Sequence, residues 1–432
     1  MGNEQTRQSK LKPTLGLFDA TAVSVGAIVG GGIFVVTGIA AGYAGSAIMI
    51  SMLLAAVVAS FTALSYAELT TWLPKEGSVY EYGRQLISPF AGYLTGWMFT
   101  LSNTFQGATV SLGFAYYFSA IFHSLPPSWI AATLCIVFTA LNYFGLKQSA
   151  RFNDLLVVSK LVVLAFFCIF GLFYASVTNF VPFAPFQMGV LAGAYFIFFA
   201  YGGFGRVAVI AEEVKDAKKN VPRAIILSLA ISTVFYIVVG AVAVGLVGSS
   251  RLASSNSPLA EAIGITGNPL AVQIVTLGGL LATASVLLTS ILGASRMVYA
   301  MARSKDLPRR LGQLHDRYNT PHYAIWATGF LMAAFVLLID LSLVVSLGTF
   351  SLLFYYTSAN ISAIRMQKKD RLYHPVVPVL GAITCFVLLV FILFIASQTW
   401  IIGAAAIAIG TVYYIARKRA PPRKTMQNHK VH

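Results

Sequence analysis

The residues with chemistry to offer sit inside apolar runs. Gly26-Ala27-Ile28-Val29-Gly30-Gly31-Gly32-Ile33-Phe34 places four glycines in nine residues. Each glycine costs a helix about 1 kcal/mol relative to alanine, and three in a row invite the backbone to open. Close helix packing through small residues is the other reading, which suits a glycine every fourth position better than a consecutive triplet. A second weak point, Phe199-Ala200-Tyr201-Gly202-Gly203-Phe204-Gly205, follows about 175 residues later. An opened turn offers free N–H groups to an anion and free C=O groups to a cation, reinforced by the half-helix dipoles. A zwitterion needs both. Three cations, Lys160, Arg206 and Arg296, also lie inside apolar segments.

The elements that carry these residues follow from composition. The chain has 432 residues, 57% hydrophobic and 10% charged, whereas a soluble domain carries roughly a quarter charged residues. So few charges could not coat a globule of this size, and this is read as an all-α polytopic membrane protein. The net charge of +16 arises from short basic clusters between apolar runs. No basic face and no nucleic-acid motif accompanies it. Cys135, Cys168 and Cys385 fall inside apolar runs, which leaves no disulfide framework. The six histidines, His123, His315, His322, His374, His429 and His432, lie in loops, span edges or the tail. No metal-spaced pair, H-E-x-x-H, C-x-x-C or P-loop lysine motif occurs, and no nucleophile–base pair supports an enzyme. No metal or cofactor is therefore expected, and no feature bears on oligomeric state.

A spanning helix needs about 20 mostly apolar residues. On that rule twelve spans are expected, at 17–41, 46–72, 89–120, 127–144, 154–175, 188–211, 222–247, 270–301, 322–340, 342–364, 376–397 and 400–416. They divide the chain into an N-terminal tail (1–13), a first repeat (14–175), a second repeat (188–364), two further spans (376–416) and a basic tail (417–432). With the N-terminus inside, 26 of the 30 Lys and Arg residues fall on the cytoplasmic side, against Arg251 alone outside. Basic loops stay inside, so both termini are expected in the cytoplasm and the chain in the cell (plasma) membrane. The two glycine-rich stretches then fall in spans one and six. Matching interruptions in two halves point to a secondary transporter's central site, and an offset of five spans inserts the second copy upside down.

At these residues the chain resembles the amino acid–polyamine–organocation transporter superfamily. Gly26 to Phe34 fits the G-x-x-x-G-x-G-I-F pattern, and Leu73-Pro74-Lys75-Glu76-Gly77-Ser78-Val79-Tyr80-Glu81-Tyr82 is similar to the P-x-x-G-G-x-Y-x-Y loop, with Ser78 in place of the second glycine. Ala211 to Ile225 resembles the A-E-E-x-K-N-P-x-R-x-I-P-R-A-I signature, and Ser295-Arg296 to Leu307-Pro308 a family-like closing of span eight. The resemblance implies a five-plus-five inverted repeat with discontinuous helices 1 and 6, as in leucine-transporter-like folds, and amino acid transport by alternating access. It implies that the amides of Gly30, Gly31 and Gly32 hold the substrate carboxylate. Carbonyls near Ile28, Phe199, Ala200 and Gly202 would take the ammonium, with Phe199 as an aromatic gate. Many members carry Ser or Thr at the position of Gly31 and an acid at that of Gly205, so those contacts are missing here.

Lys160 lies about six residues into span five. An intramembrane charge is a functional candidate, while a lysine at this depth could also stretch to the headgroups. Proton-coupled members of the superfamily place a lysine here. The resemblance thus implies proton symport, in which Lys160 bonds carbonyls around Gly26 and a span-eight hydroxyl, Ser285. Lysine suits this role because its protonation responds to its surroundings. Arg206 admits two readings: a ligand favouring an anionic amino acid, or a structural charge paired with Glu68 or Glu212. Glu68 itself reads as a helix-end ion pair. Span three carries Ser102, Asn103, Thr104, Gln106, Thr109 and Ser111, lining a polar path or bonding between helices. Pro222 is expected in the first turn of span seven. The expected partners are an amino acid, a proton and the lipid bilayer, with no nucleic acid. A proton-independent exchanger or facilitator, and a membrane sensor that binds amino acid without moving it, are the alternatives.

Overall fold

The computed structural model describes residues 14–73, 78–119, 122, 125–145, 150–209 and 214–419. Helix lies over each of the twelve expected segments. Strand-type pairing among the described residues is limited to one bridge, Leu15 with Val214. Eight stretches are long and apolar enough to cross a membrane, the first of them Leu17–Trp72. Two apolar helices, Pro127–Tyr143 and His322–Leu338, are shorter. Helix α5 (Pro89–Ser119) has 31 residues, but its polar residues keep it out of the apolar set. This is a multi-pass membrane protein. Its outer faces display Phe173, Phe394, Ile401 and Val412 to the surroundings, all at least 66% exposed. Apolar surface on that scale belongs against lipid rather than water.

The expected first span is two helices. Helix α1 (Leu17–Ile28) stops at Val29 (φ −75°, ψ 88°). After Gly30 (φ −147°, ψ −147°), α2 (Gly31–Ala44) begins. The expected sixth span divides in the same way. Helix α8 (Met188–Tyr201) ends at Gly202 (φ −60°, ψ 131°), and a four-residue helix, α9 (Arg206–Val209), resumes after it. Gly203 between them has φ 132°, a backbone that side chains other than hydrogen rarely tolerate.

Around this pair, α5 packs along α12 (Pro269–Arg303) and α14 (Leu341–Ile364), while α10 (Ala217–Ala253) packs on α3 (Ile48–Trp72) and α1. Helix α10 begins five residues before Pro222, which is therefore interior and not in the first turn. The polar run explains this: Lys219 and Asn220 N–H groups close onto Asp216 O at 2.8 and 2.9 Å, starting the helix early. Proline has no N–H to give the carbonyl four residues back, and Lys218 O accepts the Thr71 hydroxyl instead, at 3.5 Å.

Two of the sequence motifs meet at one end of the bundle. The Tyr80 hydroxyl, on α4 (Ser78–Leu86), donates to Asp306 Oδ2 at 2.7 Å, and Arg84 donates to the same hydroxyl at 3.0 Å. Burial raises the Tyr80 hydroxyl above its ordinary range, so it keeps its proton as the donor. Pro74 to Gly77, Ala211 to Glu213 and the tails 1–13 and 420–432 lie outside the described residues.

Candidate functional site

Breaking a helix releases carbonyls. In a continuous α1, the oxygens of Gly26, Ala27 and Ile28 would accept from N–H groups four residues on; the break at Val29-Gly30 removes those donors. Each oxygen has a visible neighbour. Gly26 O accepts from Lys160 Nζ at 3.3 Å. Ala27 O lies against Gly203, where an added Cβ would come within 2.5 Å of it. Ile28 O accepts from the Tyr236 hydroxyl at 2.8 Å.

The same hydroxyl lies 2.9 Å from Ala200 O at the end of α8. Tyr236, on α10, thus ties the two interruptions together with one O–H. Sequence reasoning missed it, because a single tyrosine in an apolar run reads as core. The interruptions also touch directly: a Cβ on Gly32 would lie 2.6 Å from Ala200 Cα. Helix α2 starts without a side-chain cap. Its Gly31 is roofed by Val110, 2.5 Å from where a Cβ would stand. Phe199 O is occupied by the Gly202 N–H at 3.0 Å.

The open space lies to one side of this seam. A small cavity of about 20 Å³ is lined by residues of α3, α5, the second interruption and α14. Of the expected substrate residues, Phe199 and Gly202 line it, whereas Ile28, Gly30, Gly31, Gly32 and Ala200 do not. Ser102, Asn103 and Gln106 of α5 line it as well, joined by Phe99, Leu352, Tyr355 and Tyr356. Thr104 and Ser111 bond carbonyls of their own helix instead. Bonds between helices on this face run from Ser102 Oγ to Gly348 O and from Cys135 Sγ to Ser111 Oγ, each at 3.3 Å.

Lys160, on α7 (Ala150–Leu172), is 2% exposed, so its ammonium is not stretched to a polar edge. Ser285 does not meet it: that hydroxyl donates to Ala282 O at 2.9 Å, within its own helix. Arg206 donates through Nη2 to Gln106 Oε1 at 2.6 Å and to Ser290 Oγ at 3.2 Å, and through Nη1 to Thr289 Oγ1. All three partners are neutral.

Arg206 and Glu68 make no ion pair; Glu68 Oε1 accepts the backbone N–H of Leu372 at 2.6 Å and of Tyr373 at 3.3 Å. That geometry also replaces the ion pair expected of Glu68: two amides of a loop reach it first. Glu212, the other expected partner, lies outside the described residues. Among the described residues the one recorded ion pair is Arg251–Glu261, and no cluster suited to a metal ion occurs.

The amino acid permease family profile matches residues 15–416. A methylthioribose transporter of Bacillus subtilis is 32% identical, covering 96% of this chain and 95% of its own. A branched-chain amino acid permease of the same organism is 31% identical, with 95% and 94% covered. An uncharacterised transporter of Mycobacterium tuberculosis is 34% identical, with 95% and 92% covered. All three are transporters rather than enzymes.

Proposed function

The chain belongs to the amino acid permease family of the amino acid–polyamine–organocation superfamily, and from that premise we propose that it imports amino acids by alternating access. In this reading twelve spans cross the cell membrane with both termini in the cytoplasm. Spans one to five and six to ten are inverted copies that place one interrupted helix each at the centre. The observation that carries the reading is the seam itself: two broken helices in backbone contact at Gly32 and Ala200, sharing the Tyr236 hydroxyl.

The substrate carboxylate docks on the N–H groups of Gly30, Gly31 and Gly32, and the ammonium on carbonyls of Ile28, Phe199, Ala200 and Gly202. A carbonyl has two lone pairs, so a carbonyl already bonded within the protein can take a second donor. With Val110 and Ala200 packed over these glycines, the present conformation has the carboxylate end shut, and binding requires the seam to part. Phe199 closes over the bound molecule from the cavity side.

Coupling is assigned to Lys160. Its bond to Gly26 O, 3.3 Å long, holds α7 to α1 while the ammonium is charged, and loss of the proton to the cytoplasm releases α1. A proton drives the cycle only because it binds the two conformations unequally.

Counterflow in proteoliposomes tests transport: labelled amino acid inside should exchange with unlabelled outside, and binding without exchange would make the protein a sensor. One pH unit is worth about 1.36 kcal/mol, which limits accumulation to about tenfold per proton at zero membrane potential. Lys160→Gln should abolish that accumulation while counterflow persists. Accumulation surviving in the variant refutes the assignment.

A further inference from the structure

Resting on the transport reading above, we propose that the cavity beside the second interruption receives a side-chain carboxylate, with Arg206 as its counter-ion, so that the preferred substrate is a dicarboxylic amino acid. Among the described residues, Arg206 is the one formally charged group in the cavity wall. It is held by Gln106, Thr289 and Ser290, neutral groups that fix the guanidinium without cancelling its charge. A guanidinium has five N–H donors. Those three bonds leave Nε–H and one Nη1–H with no recorded acceptor. A buried cation is expensive to keep, and it is retained where something of opposite charge comes to it.

The tyrosines of the same wall point the same way. Tyr66 and Tyr356 are each 1% exposed and both line the cavity; the Tyr66 hydroxyl has no hydrogen-bond partner among the described residues, while that of Tyr356 lies beside Tyr355 and the Gly203 backbone. Buried hydroxyls without partners are rare in folded proteins and mark places where a ligand or water completes the pairing. A carboxylate accepts a charge-assisted bond from a free guanidinium N–H and further bonds from hydroxyls of the same wall. An aliphatic side chain would leave the donors unmet, and a cationic one would meet Arg206. The main-chain carboxylate is placed on α2 in the transport reading. The glycines there do not line this cavity, so the chamber serves the far end of the molecule.

The test compares L-glutamate with L-glutamine, which match in shape and differ in charge, as competitors of labelled L-leucine and of labelled L-glutamate in counterflow with the full chain. Glutamate should compete at least about tenfold better than glutamine, as expected where a site is built to bond a group its analogue lacks. L-Lysine should compete least. Arg206→Gln should erase the glutamate preference, and Arg206→Lys, which keeps the charge but not the fork, should retain part of it. The wild-type comparison stands even if a variant does not fold. Equal competition by glutamate and glutamine overturns the proposal while leaving transport intact, as does a glutamate preference that survives in a folded Arg206→Gln. Exchange of no amino acid at all would sink the transport reading itself.

Discussion

Replacing Tyr236 with Phe deletes one oxygen and keeps the ring, which packs 5.0 Å from Tyr201. The lost hydroxyl donates at 2.8 Å to Ile28 O and 2.9 Å to Ala200 O, and Tyr236 is fully buried. A typical hydrogen bond contributes about 1 kcal/mol net, but removing the donor from a buried acceptor costs about 1–3 kcal/mol, because no water replaces it. One proton serves one carbonyl at a time, so the cost stays inside that range rather than doubling. Tyr201→Phe is the matched control. Its hydroxyl makes one longer bond, 3.3 Å to Met52 O, and its loss should cost under about 1 kcal/mol. Unfolding each variant in mixed micelles of rising dodecyl sulfate measures the difference directly. If Tyr236→Phe is indistinguishable from wild type, or costs less than Tyr201→Phe, the shared hydroxyl does not tie the broken helices.

Gly32→Ala should abolish counterflow while the protein still inserts and folds, since its methyl would meet Ala200 at 2.6–2.7 Å and overpacking of this kind costs about 1–3 kcal/mol. Gly264→Ala, with nothing within 4 Å of the new methyl, should transport normally; equal activity of the two variants refutes the close seam. Tyr80→Phe should lower stability in the same micelle titration by about 1.5–3 kcal/mol, the worth of a hydrogen bond to a charged group. If Tyr80→Phe costs as much in an Asp306→Asn background as in the wild type, the pair does not interact as described.

Much of the architecture is readable in the residues, for identifiable reasons. Consecutive glycines at 30–32 and 202–203 lower the cost of leaving the helix and the breaks fall there, although Gly278-Gly279 stays wound inside α12. Long apolar runs bounded by basic clusters mark helices by composition alone. What escapes is set by packing across the sequence. Tyr236 sits in Val234-Phe235-Tyr236-Ile237 and carries no local sign of its two carbonyl partners. The cradle of Arg206 comes from α5 and α12, at sequence separations of 83 to 100 residues, and the nearer-seeming carboxylate of Glu68 is taken by a loop some 300 residues away. Ser285 is in sequence the span-eight hydroxyl expected to meet Lys160, yet its bond is to a carbonyl of its own helix. Pro222 misleads for the opposite reason: its preference for a first turn is real, but the polar residues before it wind first.

The contact between Gly32 and Ala200 has an evolutionary corollary. Where two main chains abut, any new side chain pries them apart, so natural variation there has almost no room. The opposite wall, with Phe99, Leu352 and Tyr355, can be resized one residue at a time without disturbing how the helices meet. Relatives that carry different cargo on this scaffold should therefore diverge along that wall and keep the glycine junction, and a directed-evolution library aimed at new cargo belongs on the former.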